Sequence, residues 1–146
     1  MVQMRHVVID TNCLLQMISR HNPYYRAWSA FDNGQYYICV SNDIINEHRE
    51  IIAKLTNALV ADNVIATIIR SPYCLRYDPH FHFGLITQDP DDNKFVDCAI
   101  IANADYVVSE DFHFNELKDI PFPQVNVLKI NEFMADIDSK ETEITS

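Results

Sequence analysis

Short apolar runs alternate with longer amphipathic segments along this chain. The runs that predict strands cover residues 5–10, 35–40, 73–77, 106–109 and 124–130. Segments with helical periodicity lie between them, and strands that alternate with helices form parallel sheets. The pattern therefore predicts an α/β domain whose binding or catalytic site lies at the carboxyl ends of the strands.

The helical segments carry recognisable start and stop signals. Ser41 precedes a segment whose apolar residues recur at intervals of three and four, so it is the expected N-cap. A second helix is predicted over residues 57–70, ended by Pro72, and a buried third one from residue 91 or 92 to about 103. We expect a single domain over residues 1–137, followed by a polar, frayed tail over residues 138–146.

Composition places the chain among ordinary folded proteins. Its 146 residues suit one domain, and 48% hydrophobic with 22% charged residues excludes a disordered chain. No apolar run is long enough for a membrane helix, and no secretory leader is evident. The four cysteines are widely spaced within apolar segments, so we expect free thiols and a cytoplasmic protein.

The charge balance is strongly acidic, with 21 acidic and 11 basic residues and a net charge of -10. Binding to nucleic acid by charge alone is disfavoured, because phosphate contacts require lysine and arginine. A divalent cation held by the acids would compensate locally. An ordinary solvated acidic surface is the alternative.

Acidic residues follow the predicted strands at positions that point to one site. Asp10 ends the first strand, Asp111 follows the fourth, and residues 89–92 precede the buried helix that leads into that strand. Glu47 shares a helix face with apolar residues. Like charges repel at close range, so a cluster of this kind indicates a bound cation. Taken singly, each acid is also explained as a helix cap or turn former.

Four segments in order resemble the PIN domain family, in particular the branch described as toxin components of bacterial toxin–antitoxin systems. They are Val7-Val-Ile-Asp-Thr-Asn12, Ser41-x-x-Ile-Ile-x-Glu47, Asp89-Pro-Asp-Asp-Asn-Lys-Phe95 and Ala104-Asp-Tyr-Val-Val-Ser-Glu-Asp111. The resemblance covers about residues 5–117. It implies a three-layer α/β/α sandwich around a parallel sheet, cleavage of single-stranded RNA with Mg²⁺ or Mn²⁺, and a small antitoxin protein as partner.

The resemblance also implies a set of functional residues. The metal ligands and catalytic acids would be Asp10, Glu47, Asp92 and Asp111. Asn12 would support the first aspartate, and Ser109 matches a hydroxyl residue two before the last one. Asp97 lies about 140° around a regular helix from Asp92, so the two side chains cannot easily face one pocket. Asp92 is therefore preferred, and Asp97 is kept as an accessory ligand. The family often has glycine at the positions of Asn103 and Glu110.

Residues around the expected crevice are candidates for binding the substrate and for positioning water. From their positions in the sequence, Arg49, Lys54 and Lys94 are candidates for contacts to the RNA backbone, and Asn93 and Ser109 for positioning water. Aromatic residues are dense in the early helices and the second strand, which suggests exposed surface for a homodimer or higher assembly. They are Tyr24, Tyr25, Trp28, Phe31, Tyr36 and Tyr37.

Other interpretations remain open from the sequence. One is a non-catalytic PIN-like module that binds RNA or protein, which the presence of all four acidic positions disfavours. A second is a zinc centre formed by His80, His82 and His113. A phospho-acceptor receiver domain would require a paired acid run at the first strand and a late lysine, and neither is evident.

Overall fold

A parallel five-stranded sheet forms the centre of the protein. The computed structural model describes residues 4–80, 82–87 and 89–145. Its strands are β1 (Arg5–Ile9), β2 (Tyr36–Val40), β3 (Cys74–Arg76), β4 (Tyr106–Val108) and β5 (Val127–Leu128). They lie in the order β3-β2-β1-β4-β5, and every pair is parallel. The predicted α/β sheet is confirmed, and its first and fourth strands are neighbours near the centre.

Helices cover both faces of the sheet and give the predicted three-layer α/β/α sandwich. They are α1 (Thr11–Met17), α2 (Tyr25–Asp32), α3 (Asn42–Leu55), α4 (Ala58–Arg70), α5 (Asn93–Ala102) and α6 (Ile130–Thr145). Two 3-10 helices, Pro90–Asp92 and Phe112–Asp119, lie before α5 and after β4. Within the described ranges, no helix is long and apolar enough to cross a membrane.

The buried core explains most of these elements. Val7, Val8 and Ile9 of β1 are almost fully buried, as expected for a central strand covered on both faces. Ser41 caps α3 by accepting a hydrogen bond from the backbone N–H of Ile44 at 3.2 Å, as predicted. All four cysteines are free thiols, which the sequence also predicts.

The C-terminal region differs from the sequence prediction. The strand expected over residues 124–130 is only Val127–Leu128, and the expected frayed tail is a helix that continues through residue 145. The helix is anchored by buried apolar side chains at helical intervals, namely Ile130, Phe133, Met134 and Ile137. The backbone N–H of Ile130 donates to Glu110 Oε1 at 2.8 Å, which satisfies the start of the helix.

The aromatic residues proposed as an association surface are part of the fold. Phe31 and Tyr36 are buried, and the other four are half-buried. Tyr36 donates its hydroxyl to the backbone oxygen of Ala27 at 2.7 Å and packs edge-on against Phe133. The buried rings Phe31 and Tyr36 belong to the core and are not available for association, and self-association through the other four stays a prediction.

Asn103 ends α5 in the left-handed conformation, with φ 50. This conformation favours glycine and tolerates asparagine, which explains why glycine occurs at this position in the family that the sequence resembles. We expect Asn103→Ala to lower the free energy of unfolding by about 1 kcal/mol and Asn103→Gly to change it by less than ~0.5 kcal/mol. Urea unfolding of the two variants tests this, and equal stability of Asn103→Ala and wild type would contradict it.

Candidate metal centre

The ends of β1 and β4 bring two acidic segments together. Ile9 pairs with Val108, and the backbone N–H of Asp10 donates to the Val108 oxygen at 3.0 Å. Asp10 and the segment 109–111 therefore start from the same edge of the sheet. This is the convergence that the strand-end positions predict.

Asp10 is held in a single orientation and is only 6% exposed. Its Oδ1 accepts from the backbone N–H of Cys13 at 2.9 Å, and its Oδ2 accepts from the hydroxyl of Ser109 at 2.5 Å. Burial raises the pKa of Asp10, and the two hydrogen bonds oppose that shift. A buried carboxylate fixed in this way has the rigidity that an ion ligand requires.

Ser109 connects the two strand ends. Besides donating to Asp10, its oxygen accepts from the backbone N–H of Asp111 at 3.0 Å. Asp111 in turn caps the following 3-10 helix, since its Oδ1 accepts from the backbone N–H of His113 at 2.9 Å. These contacts fix both Asp10 and Asp111 through one buried hydroxyl.

Glu47 already has partners for both carboxylate oxygens. Thr11 donates its hydroxyl to Oε2 at 2.5 Å, and Lys94 Nζ lies 2.6 Å from Oε1. His48 Nδ1 is 2.9 Å from the Thr11 oxygen, and burial lowers the pKa of His48 to about 4, so its ring is neutral at pH 7. Since the Thr11 hydroxyl donates to Glu47, the Nδ1 of His48 is the donor to Thr11. Lys94 provides the countercharge of Glu47 in this state.

Asp92 and Asp89 lie beside His113. His113 Nδ1 is 3.4 Å from Asp92 Oδ2, 3.8 Å from Asp89 Oδ2 and 3.0 Å from Asp111 Oδ1. Asp92 Oδ2 and His113 Nδ1 are shielded from solvent and have no hydrogen-bond partner among the described residues. Burial, with the charges of Asp111 and Asp89, raises the pKa of Asp92 to about 6, and His113 opposes this shift.

The acidic residues described above line one open cleft of about 270 Å³. Its lining includes all four predicted carboxylates, Asp10, Glu47, Asp92 and Asp111, together with Asp89 and Asp91. Water occupies about 30 Å³ per molecule in the liquid, so the cleft has room for a hydrated cation. Oxygen donors at this density are the ligands that hard divalent ions prefer.

Asp97 lies outside this cleft. It is 3% exposed and lines a neighbouring groove, where its Oδ1 accepts from the backbone N–H of Phe83 at 3.2 Å and its Oδ2 lies 3.3 Å from His82 Nδ1. Both oxygens therefore hold the loop before α5. The placement agrees with the helical geometry that separates Asp97 from Asp92 in the sequence.

The other residues predicted at the site have mixed positions. Asn12 lines the cleft, but the described hydrogen bonds to Asp10 come from Ser109 and Cys13. Asn93 was predicted to position water, but both its amide atoms bond to the backbone of Ile86 at 2.8 Å, so it anchors a loop instead.

The three basic residues predicted to contact the RNA backbone also lie in different places. Arg49 lies 3.7 Å from Asp62 between α3 and α4, and Lys54 belongs to the last turn of α3. Lys94 is the member of the three that contacts a carboxylate of the cleft.

The histidines do not form the zinc centre considered from the sequence. His82 lies beside Asp97, whereas His113 lies beside Asp92. Among the residues that the structure describes, a single group of three potential ligand atoms lies within 4.8 Å, and it consists of Asp89, Asp92 and His113. The two-residue spacing of Asp111 and His113 is the feature of the sequence that indicates that His113 lies beside the acidic residues. From the sequence, His113 was instead grouped with His80 and His82 as a zinc ligand.

Comparisons with known proteins agree with this architecture. A family model described as PIN domain matches residues 6–113. VapBC2 from Rickettsia felis, bound to a DNA fragment from its promoter, has a TM-score of 0.59 at 15% identity, covering 85% of this chain and 98% of that chain. FitAcB from Neisseria gonorrhoeae has a TM-score of 0.52 at 16% identity, covering 85% and 97%.

A third solved structure extends the comparison. The PIN domain of T. brucei RRP44 has a TM-score of 0.54 at 11% identity, covering 97% of this chain and 86% of that chain. At these identities the structures show a shared fold. A search of curated proteins finds no match.

Proposed function

Because the chain belongs to the PIN domain family, we propose that it is a metal-dependent endoribonuclease that hydrolyses phosphodiester bonds of single-stranded RNA. The supporting observation is that Asp10, Glu47, Asp92 and Asp111, from four separate parts of the chain, line one cleft. Burial raises the pKa values of Asp10 and Asp92, and the charge of Asp111 adds to both shifts, so a cation in the cleft would favour the ionised form of both carboxylates.

The residues fit a divalent ion such as Mg²⁺ or Mn²⁺. Asp92 Oδ2 is shielded from solvent and makes no well-aligned hydrogen bond in the described part of the chain, so a cation bound there would satisfy a buried acceptor. We assign the ligand role to Asp10, Glu47, Asp92 and Asp111. When bound, such an ion activates water and stabilises charge on the phosphate.

The chain's own groups provide orientation and substrate contact. Ser109 fixes Asp10 and Asp111 relative to each other, and Thr11 fixes Glu47. Lys94 is the candidate for contact with the RNA backbone, because it is the predicted basic residue that contacts Glu47 of the cleft. Contact with a phosphate would require it to leave Glu47, and a cation at Glu47 would replace its charge there.

The function is tested with chelated, purified protein and fluorescent single-stranded RNA. We expect cleavage with Mn²⁺ or Mg²⁺, no cleavage in chelator, and slower cleavage of duplex RNA. Metal-independent cleavage would reject the proposed site. Tight RNA binding without cleavage under any metal would instead support a non-catalytic module.

The relative importance of two aspartates gives a further prediction. We expect Asp92→Asn to lower kcat/KM by at least about tenfold, because its carboxylate lines the cleft. Asp97→Asn should act mainly on thermal stability, since Asp97 holds the loop at Phe83. Equal losses of activity in the two variants, at full metal saturation, would show that Asp97 is also a ligand.

We further propose that the protein is a cytoplasmic toxin paired with a small antitoxin protein. The support is its family membership and its shared fold with VapBC2 and FitAcB. Expression of the wild-type chain should arrest growth, and co-expression of a small protein encoded by the neighbouring gene should relieve the arrest. Light scattering tests the separate prediction of a homodimer, which a monomer well above micromolar concentration would contradict.

A further inference from the structure

His113 places a ring nitrogen beside three of the acidic residues that line the cleft. Its Nδ1 lies 3.0 Å from Asp111 Oδ1, 3.4 Å from Asp92 Oδ2 and 3.8 Å from Asp89 Oδ2. One ligand atom each from Asp89, Asp92 and His113 lies within 4.8 Å of the others. A central ion would be within reach of all three.

The local backbone holds these groups in place. Asp89 uses Oδ1 to accept from the backbone N–H of Asp91 at 3.2 Å, so its Oδ2 is the oxygen that faces His113. Asp111 Oδ1 accepts the backbone N–H of His113 at 2.9 Å and also lies 3.0 Å from the Nδ1 of that residue, so the turn keeps the imidazole beside Asp111. The ring of Phe112 lies against that of His113, with centroids 4.3 Å apart.

A simple ion pair between His113 and the acids does not account for this geometry. An imidazolium that served as a countercharge would aim an N–H at one carboxylate oxygen. Instead, Nδ1 of His113 lies 3.0 to 3.8 Å from three carboxylate oxygens, and neither it nor Oδ2 of Asp92, both shielded from solvent, makes a well-aligned hydrogen bond among the described residues. Leaving a buried polar atom unpaired is unfavourable, and a cation between the two atoms would bind both.

We infer that His113 Nδ1 is a ligand of the divalent ion and that, with Asp92 and Asp89, it makes the site select a first-row transition-metal ion such as Mn²⁺ over Mg²⁺. The inference rests on the proposed function for the presence of the ion. The preference follows from ligand chemistry. Imidazole nitrogen suits transition ions, whereas Mg²⁺ binds oxygen and water almost exclusively.

The experiment measures binding of Mn²⁺ and Mg²⁺ separately to the full chain by calorimetry, without RNA. We compare wild type with His113→Gln, and use His21→Gln as the matched control because His21 is exposed between α1 and α2. We expect His113→Gln to weaken Mn²⁺ binding by roughly 10–100-fold, with Mg²⁺ binding changed by less than about threefold. The control should match wild type for both ions.

Pulsed electron paramagnetic resonance of bound Mn²⁺ gives a readout independent of affinity and activity. Wild type should show a ¹⁴N coupling that changes when histidine is labelled with ¹⁵N, and His113→Gln should lack it. Circular dichroism confirms that the variant is folded, and if it is not, the labelled wild-type spectrum alone decides.

The outcomes separate this inference from the proposed function. Mn²⁺ binding and RNA cleavage without a nitrogen coupling, or an unchanged Mn²⁺-to-Mg²⁺ affinity ratio in folded His113→Gln, would overturn the inference and leave the nuclease intact. Failure of wild type to bind either ion would overturn both.

Discussion

Asp10→Asn is expected to lower RNA cleavage by at least about hundredfold, because an amide replaces the buried carboxylate that we assign to the ion. The fold should persist, since asparagine keeps an oxygen that accepts from the backbone N–H of Cys13. The metal-free variant should be at least as stable as wild type, because burial disfavours the ionised form of Asp10. Single-turnover cleavage with saturating Mn²⁺ and a thermal melt in chelator measure the two effects.

A matched control for this variant is Asp62→Asn. Asp62 is an exposed carboxylate that pairs with Arg49, away from the cleft, and its replacement should leave cleavage unchanged. Asp111→Asn should behave like Asp10→Asn. If Asp10→Asn and Asp62→Asn both retain cleavage activity within a few-fold of wild type, the reaction does not take place in the cleft.

The strand-end acids could be predicted because sheet topology alone determines their proximity. Asp10 and Asp111 are far apart in sequence, but each directly follows a strand, and those two strands pair at the sheet centre. Periodicity was equally sufficient for Glu47, which lies on the same helix as the buried Ile44 and Ile52. In each case, the position of the residue along its strand or helix determines where its side chain lies, independently of the neighbouring side chains.

The hydrogen bonds and ion pairs between side chains could not be predicted from the sequence pattern, because they depend on rotamers and on the paths of loops. Lys94 is adjacent to the acidic run at 89–92, but its ammonium group reaches Glu47 on another helix. Asn93 bonds to Ile86 in a loop whose path has no periodic signal. His113 lies in a short 3-10 segment, where neither helical nor strand spacing predicts the direction of the ring.

The end of the chain was mispredicted for a different reason. The apolar positions 130, 133, 134 and 137 have helical spacing, but the adjacent apolar residues of β5 led to a predicted strand that runs as far as residue 130, where the helix begins. Acidic residues then made the following segment resemble a solvated tail. One of them, Asp138, binds Arg26 of α2 at 2.9 Å, and Asp136, just before the predicted tail, lies 3.2 Å from Arg5 Nε of β1.

The stability of the metal-free protein should depend on pH through the buried carboxyl groups of Asp10 and Asp92, whose pKa values are raised, and through His48, whose effect is opposite. The pKa of Asp92 is raised to about 6, so the folded chain binds more protons there, and stability falls as pH rises from about 4 to 6. The pKa of His48 is lowered to about 4, so the unfolded chain binds more protons there, and stability rises with pH up to about 6.5. Asp92→Asn removes the contribution of Asp92, so the stability of the variant should rise more, or fall less, with pH across this window than that of wild type.

A bound ion should change this balance, because binding requires Asp92 to lose its proton. At pH 8 Asp92 is ionised and the ion binds directly, whereas at pH 5.5 most of the folded protein must first release that proton. An ion that binds only the native state contributes about 2.7 kcal/mol at ~100 times its dissociation constant. We therefore expect the rise in Tm on adding Mn²⁺ to be larger at pH 8 than at pH 5.5.

Thermal melts of wild type and Asp10→Asn, with and without Mn²⁺ at both pH values, test this expectation. The Mn²⁺-dependent rise in Tm should be strongly reduced in Asp10→Asn, because the substitution removes a charge that we assign to the ion site. Asp62→Asn should retain the full rise, since its carboxylate lies between α3 and α4. An equal rise in all three proteins would place the ion away from the cleft, because stabilisation by binding follows the ligands that the native state presents.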